Sequence, residues 1–272
     1  MDQAVPVLGT CKSDFLPELA CKGNDAWHRT VEDFSVRLLT KVTDKFPALS
    51  GLASGVQKLY GGTYVAGLWE EDILRDLLWR RKFADLLTQL QHQAVEIHEY
   101  VAPSWSWASM NGQVSYDMLD RSWPSRGWSF GNRHRYGKAD PGFERPIIEQ
   151  IQITLGGSDP KGQLSAGFIK MRGRIKKCPI PEGMNFSVDE SPSTGHFDVD
   201  LDNPRDESIL EITVLRIFTT PFNPKWPADH PGLGLALQLT DPSKNEFKRI
   251  GLVSGVSRAW FEDGDDVNIT LV

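Results

Sequence analysis

The hydrophobic period of this 272-residue chain changes once, at Pro103, and that change limits the folds open to it. Between Trp27 and Tyr100, apolar residues recur at the three- and four-residue intervals that are typical of amphipathic helices. After Pro103, β-branched and alternating runs follow one another, separated by turn sequences such as GGSDPKG and TDPSKN. Helices followed by strands predict an α+β fold, with an N-terminal helical layer packed on an antiparallel β sandwich or barrel.

Shifts in composition divide the chain into three segments, which we expect to form one compact unit. Residues 1–26 contain Pro and Gly without a period, and they predict a loosely held N-terminal arm. Residues 27–101 form the predicted helical subdomain, and residues 102–272 form the predicted β-rich subdomain. Within the latter, residues 117–144 are rich in Gly, Arg and Trp and predict a loop longer than an ordinary hairpin connection. Loops of that length are usually functional or disordered.

The first two predicted helices have recognisable ends. The first is expected to begin with Thr30 as N-cap and Asp33 three positions later, an acidic variant of the capping box. The apolar positions of this helix are Val31, Phe34 and Leu38. The second has Pro47 in its first turn and Gly61 at its end, which is the usual asymmetry of helix termini. Its apolar positions are Leu49, Leu52, Val56 and Leu59.

A third helical segment is predicted from Glu70 towards Val101, because no Gly or Pro interrupts it. It is either one long helix or two abutting ones. His92 and Glu96 are four residues apart on it, and this spacing suits either an ordinary surface contact or, less commonly, a metal site.

Charge and cysteine content argue against a nucleic-acid-binding, membrane-binding or disulfide-stabilised protein. The formal net charge is -6, which gives no electrostatic reason to expect nucleic acid or an anionic membrane as partner. Three cysteines without a CxxC motif indicate a reducing compartment. Neither a secretory signal nor an uninterrupted apolar run long enough to span a membrane occurs, so we expect a cytoplasmic protein without membrane insertion. The oligomeric state stays open.

The common catalytic and cofactor motifs do not occur in the sequence. There is no GxSxG elbow, no GxGxxG after a strand and no P-loop. Cys178 follows two lysines that could lower its pKa, but no partner base is recognisable. We therefore expect no cofactor and no metal.

The aromatic residues carry the strongest remaining signal, because nine tryptophans are an unusual number. Trp105 and Trp107, in SWSWAS, have the same parity in a predicted strand, so both indoles would lie on one face. Two interpretations are open. The pair forms a core contact between sheet and helices, or it forms one wall of an apolar pocket. The other walls would come from Trp123, Trp128 and Tyr136 in the long loop.

An ordered series of blocks resembles the fungal heterokaryon-incompatibility (HET) proteins, in the region that follows their HET domain. The blocks are TDKFPALSGLA at 43–53, YVAGLW at 64–69, LLW at 77–79 and PSWSWAS at 103–109. Trp27 with VEDFS is similar to the opening of this region, and FKRIGLV, WFED and the terminal ITLV are similar to its end. The resemblance therefore extends over about residues 27–272.

The resemblance implies a fungal source and a shared scaffold, in which Trp105 and Trp107 pack helices against strands. Cell-death signalling is attributed to the upstream HET domain with its YVALSYCWG-like block, and no such block occurs here. We expect the chain to begin near where that domain ends, so the resemblance does not transfer the incompatibility function. It also implies no catalytic residues. A function special to this chain is expected in the 117–144 loop and the adjoining strand ends.

Surplus aromatic surface without a cofactor motif favours a cofactor-independent cyclase of fungal secondary metabolism. Cycloaddition of Diels–Alder type on a hydrophobic terpenoid or polyketide needs little beyond shape and one hydrogen bond. The candidate catalytic donors are Tyr116, His134, Arg135 and Tyr136, and the candidate substrate-binding residues are Trp105, Trp107, Trp123 and Trp128. The alternative is a non-catalytic regulatory or interaction module of the HET type. A carrier of the same apolar compounds would share the pocket.

Overall fold

The computed structural model describes residues 24–37, 39–82, 99–117, 145–179, 185–188, 191–197, 211–218, 232–256 and 259–272. Its helices are α1 (Asn24–Ser35), α2 (Lys45–Tyr60) and α3 (Ile73–Asp76), and its longer strands all follow Pro146. The predicted mixture of N-terminal helices and C-terminal strands is therefore confirmed. Among the described residues, no helix combines the length and the apolar character needed to cross a membrane.

Helix α1 begins earlier than the sequence predicted. It starts at Asn24, so the predicted arm is too long by a few residues, and residues 1–23 lie outside the described chain. Thr30 is not an N-cap. It lies inside the helix, where its hydroxyl donates to the carbonyl of Ala26 at 2.8 Å. Val31 is buried and Phe34 half-buried, as predicted, whereas Leu38 is outside the described residues.

Helix α2 has the predicted ends, with Pro47 in its first turn and Gly61, at φ 71°, as its C-cap. Its buried face differs in part from the predicted one. The buried apolar residues are Phe46, Leu49, Ala53 and Val56, at alternating intervals of three and four. Leu52 and Leu59 are exposed, because they lie on the side of the helix that faces away from this core.

The predicted helix from Glu70 to Val101 is wrong over the described residues. A 3-10 turn, Glu70–Asp72, leads into the short α3, and the chain then forms strand β3 (Arg80–Arg81). Strand β3 pairs antiparallel with β4 (Val114–Ser115). The physical reason is that residues 75–79 are all buried in succession, which a helix with one buried face cannot achieve. His92 and Glu96 lie outside the described residues.

The strand runs predicted after Pro146 are confirmed, and the structure adds two strands, over 185–188 and 191–197, that the sequence did not predict. A short hairpin, β1 (Tyr64–Val65) and β2 (Leu68–Trp69), precedes them within the predicted helical subdomain. The sheet strands are β5 (Ile147–Leu155), β6 (Leu164–Pro179), β7 (Asn185–Val188), β8 (Ser191–Phe197), β9 (Glu211–Phe218), β10 (Gly232–Asp241), β11 (Glu246–Val256) and β12 (Asp265–Leu271).

These eight strands form one sheet in the order β10-β9-β6-β12-β11-β8-β7, with β5 paired to β6. Strand β10 also pairs with β11, so the series β10-β9-β6-β12-β11 returns to the strand with which it begins. The pairings are antiparallel, as predicted, except between β11 and β12. Those two strands run parallel over Glu246–Thr270 and Phe247–Leu271.

Two buried clusters lie on opposite sides of strand β9. Leu215 and Ile217 belong to the larger cluster, which includes the helices, the β1–β2 hairpin and the residues around Trp105. Ile212 and Val214 belong to the smaller cluster with Trp260 and other apolar residues of β10, β11 and the turn before β12. The helical segment therefore packs on one side of the sheet strands, and the candidate site lies where it does so.

Candidate functional site

The structure describes three of the eight predicted site residues. These are Trp105, Trp107 and Tyr116. The other five lie outside the described residues, and their roles remain predictions: Trp123, Trp128, His134, Arg135 and Tyr136. The residues that surround the described three therefore define the candidate site.

Trp105 and Trp107 belong to the core, as the first of the two interpretations holds. Trp105 is 0% exposed and Trp107 2% exposed. The predicted strand is wrong, because Trp105 is in a turn and Trp107–Ser109 form a 3-10 helix. The Ser106 hydroxyl accepts from the backbone N–H of Ala108 and donates to the carbonyl of Ala66 at 2.7 Å. These bonds replace the ladder that a strand would have made.

The β1–β2 hairpin is the structural centre of this core. Ala66 and Gly67 connect its strands with φ values of 50° and 86°, the signs that a type I′ turn requires at both positions. The carbonyl of Gly67 accepts from the indole N–H of Trp27 at 3.0 Å and of Trp107 at 3.1 Å. One backbone oxygen thereby holds the indole rings of two tryptophans that are far apart in the sequence.

Further bonds join the segments that carry the resemblance blocks. The indole N–H of Trp79 donates to the carbonyl of Trp105 at 3.0 Å. Ser104 donates from its backbone N–H to the Val272 carbonyl at 3.1 Å, and its hydroxyl accepts from the N–H of Arg249. The Arg249 guanidinium lies 3.6 Å above the ring of Trp79. The helical segment and the sheet are therefore tied together at these residues.

Lys45 is a buried cation in the same core. Its ammonium donates to the carbonyls of Ala108 at 2.9 Å and Met110 at 2.6 Å. Burial lowers the pKa of Lys45 to about 8, because the charged form is poorly solvated there. The lysine thus holds the end of the tryptophan segment (residues 104–110), and its pKa is lowered by the burial that this requires.

We expect the contribution of Lys45 to stability to rise between pH 8 and pH 10. In that range the unfolded chain binds the proton more tightly, since its lysine pKa is near 10.5, so folding becomes more favourable as pH increases. The gain is about 2 kcal/mol. Urea unfolding of the wild type and of Lys45→Met at pH 8, 9 and 10 measures it. A difference between the two proteins that does not change with pH would contradict this assignment.

Tyr116 is the predicted donor that the structure places in a polar setting. Its side chain is 4% exposed, and its ring stacks on His28 with centroids 3.8 Å apart and planes at 9°. The hydroxyl has no hydrogen-bond partner among the described residues. Burial raises the pKa of Tyr116 well above its usual value, and the nearby Asp76 raises it further. Tyr116 is therefore a neutral phenol with an unused O–H donor.

His28 and Asp76 form a buried pair behind this phenol. Nε2 of His28 lies 2.7 Å from Oδ1 of Asp76, and Oδ2 of Asp76 accepts from the backbone N–H of Trp69 at 2.7 Å. Sequence reasoning missed both residues. Their separation in sequence follows no motif, and only the packing of α1 against α3 brings them together.

Glu32 holds the backbone on which Tyr116 is mounted. One carboxylate oxygen accepts from the N–H of Tyr116 at 2.5 Å and from the hydroxyl of Ser115 at 3.1 Å. At the next position, Asp117 accepts from Nε of Arg80 at 2.7 Å. The phenol ring is thus fixed from its backbone as well as by the stack on His28.

A second buried phenol, Tyr64, lies on strand β1. It is 7% exposed, and its hydroxyl also lacks a hydrogen-bond partner within the described part of the chain. Its ring contacts Trp27 at 5.8 Å and Trp69 at 5.5 Å, both edge-on. Burial raises the pKa of Tyr64, as it does for Tyr116. Sequence reasoning did not select this tyrosine, because it stands in an apolar block.

Cys178 does not have the activated character that its neighbouring lysines suggested. Burial raises the pKa of its thiol, and this effect outweighs the lowering by Lys176. Lys176 instead donates to the Trp260 carbonyl at 2.9 Å and to Asp263 at 2.7 Å. Over the described ranges, no group of three or more His, Cys, Asp or Glu residues could hold a metal ion.

Comparison of the chain with family models, with curated proteins and with solved structures finds no match. The candidate site is therefore defined by its own geometry. It consists of the phenols of Tyr116 and Tyr64, with His28, Asp76 and Glu32 as the residues that position them.

Proposed function

We propose that this protein is a cofactor-independent cyclase that catalyses a Diels–Alder-type cycloaddition of a hydrophobic terpenoid or polyketide intermediate in fungal secondary metabolism. The observation that carries the proposal is the Tyr116 hydroxyl, which is buried without a hydrogen-bond partner among the described residues. A buried donor of this kind suits a carbonyl oxygen on which negative charge develops.

The chemistry makes modest demands on the protein. In a cycloaddition, two carbon–carbon σ bonds form between a diene and an alkene, and three π bonds become one, without a change of redox state or a net proton transfer. The protein has to hold the reacting ends together and polarise the alkene. A donor aimed at a conjugated carbonyl does the latter, and it contributes about 2–4 kcal/mol where charge develops.

Tyr116 is suited to this role because it is both neutral and rigid. Its raised pKa keeps the O–H intact at physiological pH, so the group donates and does not repel the developing charge. The stack on His28, and the hydrogen bond from the backbone N–H of Tyr116 to Glu32, fix the phenol ring before substrate binds. Such preorganisation requires no rearrangement at the moment of reaction.

The tryptophan pair forms part of the core in place of a pocket wall. Trp107 contacts Phe46, and the burial of Trp105 and Trp107 leaves little surface for a substrate. Stacking of substrate by Trp123 and Trp128, and further donation by His134, Arg135 or Tyr136, remain part of the proposal.

The test compares three proteins acting on the linear precursor that the pathway genes next to its own gene supply. Wild-type protein is expected to accelerate formation of the cyclised product, measured by liquid chromatography against a buffer blank. Tyr116→Phe is expected to lower kcat by roughly 100-fold, which is the usual cost of losing one such donor. Tyr100→Phe, at a tyrosine that is 46% exposed, is the matched control and should not change the rate. A cyclised fraction equal to the buffer blank would contradict the proposal.

We also propose that the chain shares the scaffold of the HET family region and that five of its strands close into a barrel. The contacts that join the four blocks support the shared scaffold: Phe46 with Trp107, Trp107 with Gly67, and Trp79 with Trp105. The pairing of β10 with both β9 and β11 supports closure, because the series of pairings then has no free end.

A non-catalytic interaction module of the HET type is the second candidate function. It is favoured by Leu52 and Leu59, which are exposed and seven residues apart on α2, hence on one face. Co-expression with a HET-domain protein of the same fungus tests it. Binding that Leu52→Glu and Leu59→Glu abolish would support this function, and failure to co-purify would count against it.

A further inference from the structure

We infer that Tyr64 and Tyr116 donate together to one carbonyl oxygen, so that the site takes an α,β-unsaturated ketone or aldehyde. This inference rests on the proposed function, and it adds a second catalytic residue and a substrate class to it. The two hydroxyls share the same condition, since both are buried and neither has a hydrogen-bond partner among the described residues.

The two phenol rings contact consecutive residues of one helix. Trp27 contacts the ring of Tyr64 edge-on at 5.8 Å, and His28, the next residue of α1, stacks on Tyr116 at 3.8 Å. Neighbouring helix residues are turned by about 100° from each other, so the two tyrosines occupy adjacent sides of the start of α1.

A single carboxylate also ties both phenols to the same frame. Asp76 binds Nε2 of His28, on which Tyr116 stacks, and the backbone N–H of Trp69, whose ring contacts Tyr64 at 5.5 Å. The spacing between the donors is therefore set by packed rings and by two hydrogen bonds to buried groups.

A carbonyl oxygen fits two such donors because it has two lone pairs. Two neutral phenols can polarise it more strongly than one, and an alkene conjugated to it becomes correspondingly more reactive towards a diene. The same arrangement provides specificity. A hydrocarbon analogue without the oxygen would leave both buried donors unpaired, which binding sites of this kind reject strongly.

The experiment measures the carbonyl stretching frequency of a bound probe, and it does not depend on turnover. The probe is cyclohex-2-enone labelled with ¹³C at the carbonyl, added to the full-length protein and followed by infrared difference spectroscopy. Wild-type protein is expected to shift the band to lower wavenumber. Tyr64→Phe and Tyr116→Phe should each remove roughly half of the shift, and the double variant nearly all of it, since each donor bonds one lone pair.

The variants are expected to fold, because each deletes only a hydroxyl that has no partner among the described residues. Circular dichroism checks this, and Tyr100→Phe serves as the matched control with an unchanged band shift. A shift that Tyr116→Phe abolishes and Tyr64→Phe leaves intact would overturn the role of Tyr64 while leaving the proposed function standing. Absence of any shift in the wild type would overturn the shared carbonyl site. The cyclisation assay then decides separately on the proposed function.

Discussion

Replacing Gly67 with alanine is expected to lower the free energy of unfolding by about 4 kcal/mol, or to prevent folding. Gly67 has φ +86°, and a Cβ there would lie 2.5 Å from Nε1 of Trp107. The left-handed backbone costs a side chain about 1–2 kcal/mol, and forcing an atom into a packed core adds roughly 1–3 kcal/mol. Displacing the indole also weakens its bond to the Gly67 carbonyl. Urea denaturation followed by tryptophan fluorescence measures the loss.

Gly61 provides the matched control for this substitution. It has φ +71°, but a Cβ there would have nothing within 4 Å. Gly61→Ala should therefore cost only the backbone contribution, about 1–3 kcal/mol. Equal losses for the two variants would show that the contact between a Cβ at position 67 and Trp107 costs no stability.

The strands and helix α2 were predictable because their signals are local. The alternating or β-branched runs are bounded by turn residues, and Asp241 and Asn245 show the turn chemistry directly. Asp241 Oδ1 accepts from the N–H of Ser243 at 2.9 Å, and Asn245 is left-handed at φ 47°. Pro47 and Gly61 likewise mark the ends of α2 through their own backbone preferences.

The segment from Glu70 to Trp79 was not predictable by the same means. A helical period assumes that one side of the helix is buried, whereas Leu77, Leu78 and Trp79 are buried on all sides. The apolar residues there do match a helix in spacing, but Arg75 and Asp76, which the pattern assigns to the exposed side, are buried as well. Tertiary packing determines the backbone conformation of this segment, and a local sequence pattern contains no information about that packing.

In the tryptophan segment, burial was predictable from side-chain size, whereas the backbone conformation was not predictable from the local pattern. Burial of Trp105 and Trp107 follows from their large apolar area alone. The 3-10 backbone depends on the bond between Ser106 and the Ala66 carbonyl, two residues that are 40 positions apart. The alternation in SWSWAS contains no trace of that distant partner.

The candidate site follows the same rule. Tyr116 could be named from sequence as a donor near the long loop, because the residue type alone supplies the O–H. What makes it a site is the pair formed by His28 and Asp76 together with the second phenol, Tyr64. These residues come from α1, α3 and β1, and no spacing rule connects them.

Replacing Asp76 with leucine is expected to lower the free energy of unfolding by about 3–5 kcal/mol, the usual cost of breaking a buried pair by removing one partner. The fully buried carboxylate accepts at 2.7 Å from both His28 and the backbone N–H of Trp69, and leucine would remove this acceptor from both. Asp76→Asn retains one carbonyl oxygen as an acceptor for Trp69, so we expect it to lose about half as much. Denaturant titration compares the two variants.

A double-mutant cycle with His28→Phe isolates the contribution of the His28–Asp76 pair. Phenylalanine can keep the stack on Tyr116, so this variant removes the imidazole nitrogen and retains the ring. If the pair is energetically coupled, the double variant should lose at least about 1 kcal/mol less than the sum of the single losses. Strict additivity would mean that Asp76 does not act through His28. The stack on Tyr116 would then owe nothing to the carboxylate, and the phenol would have one positioning residue fewer.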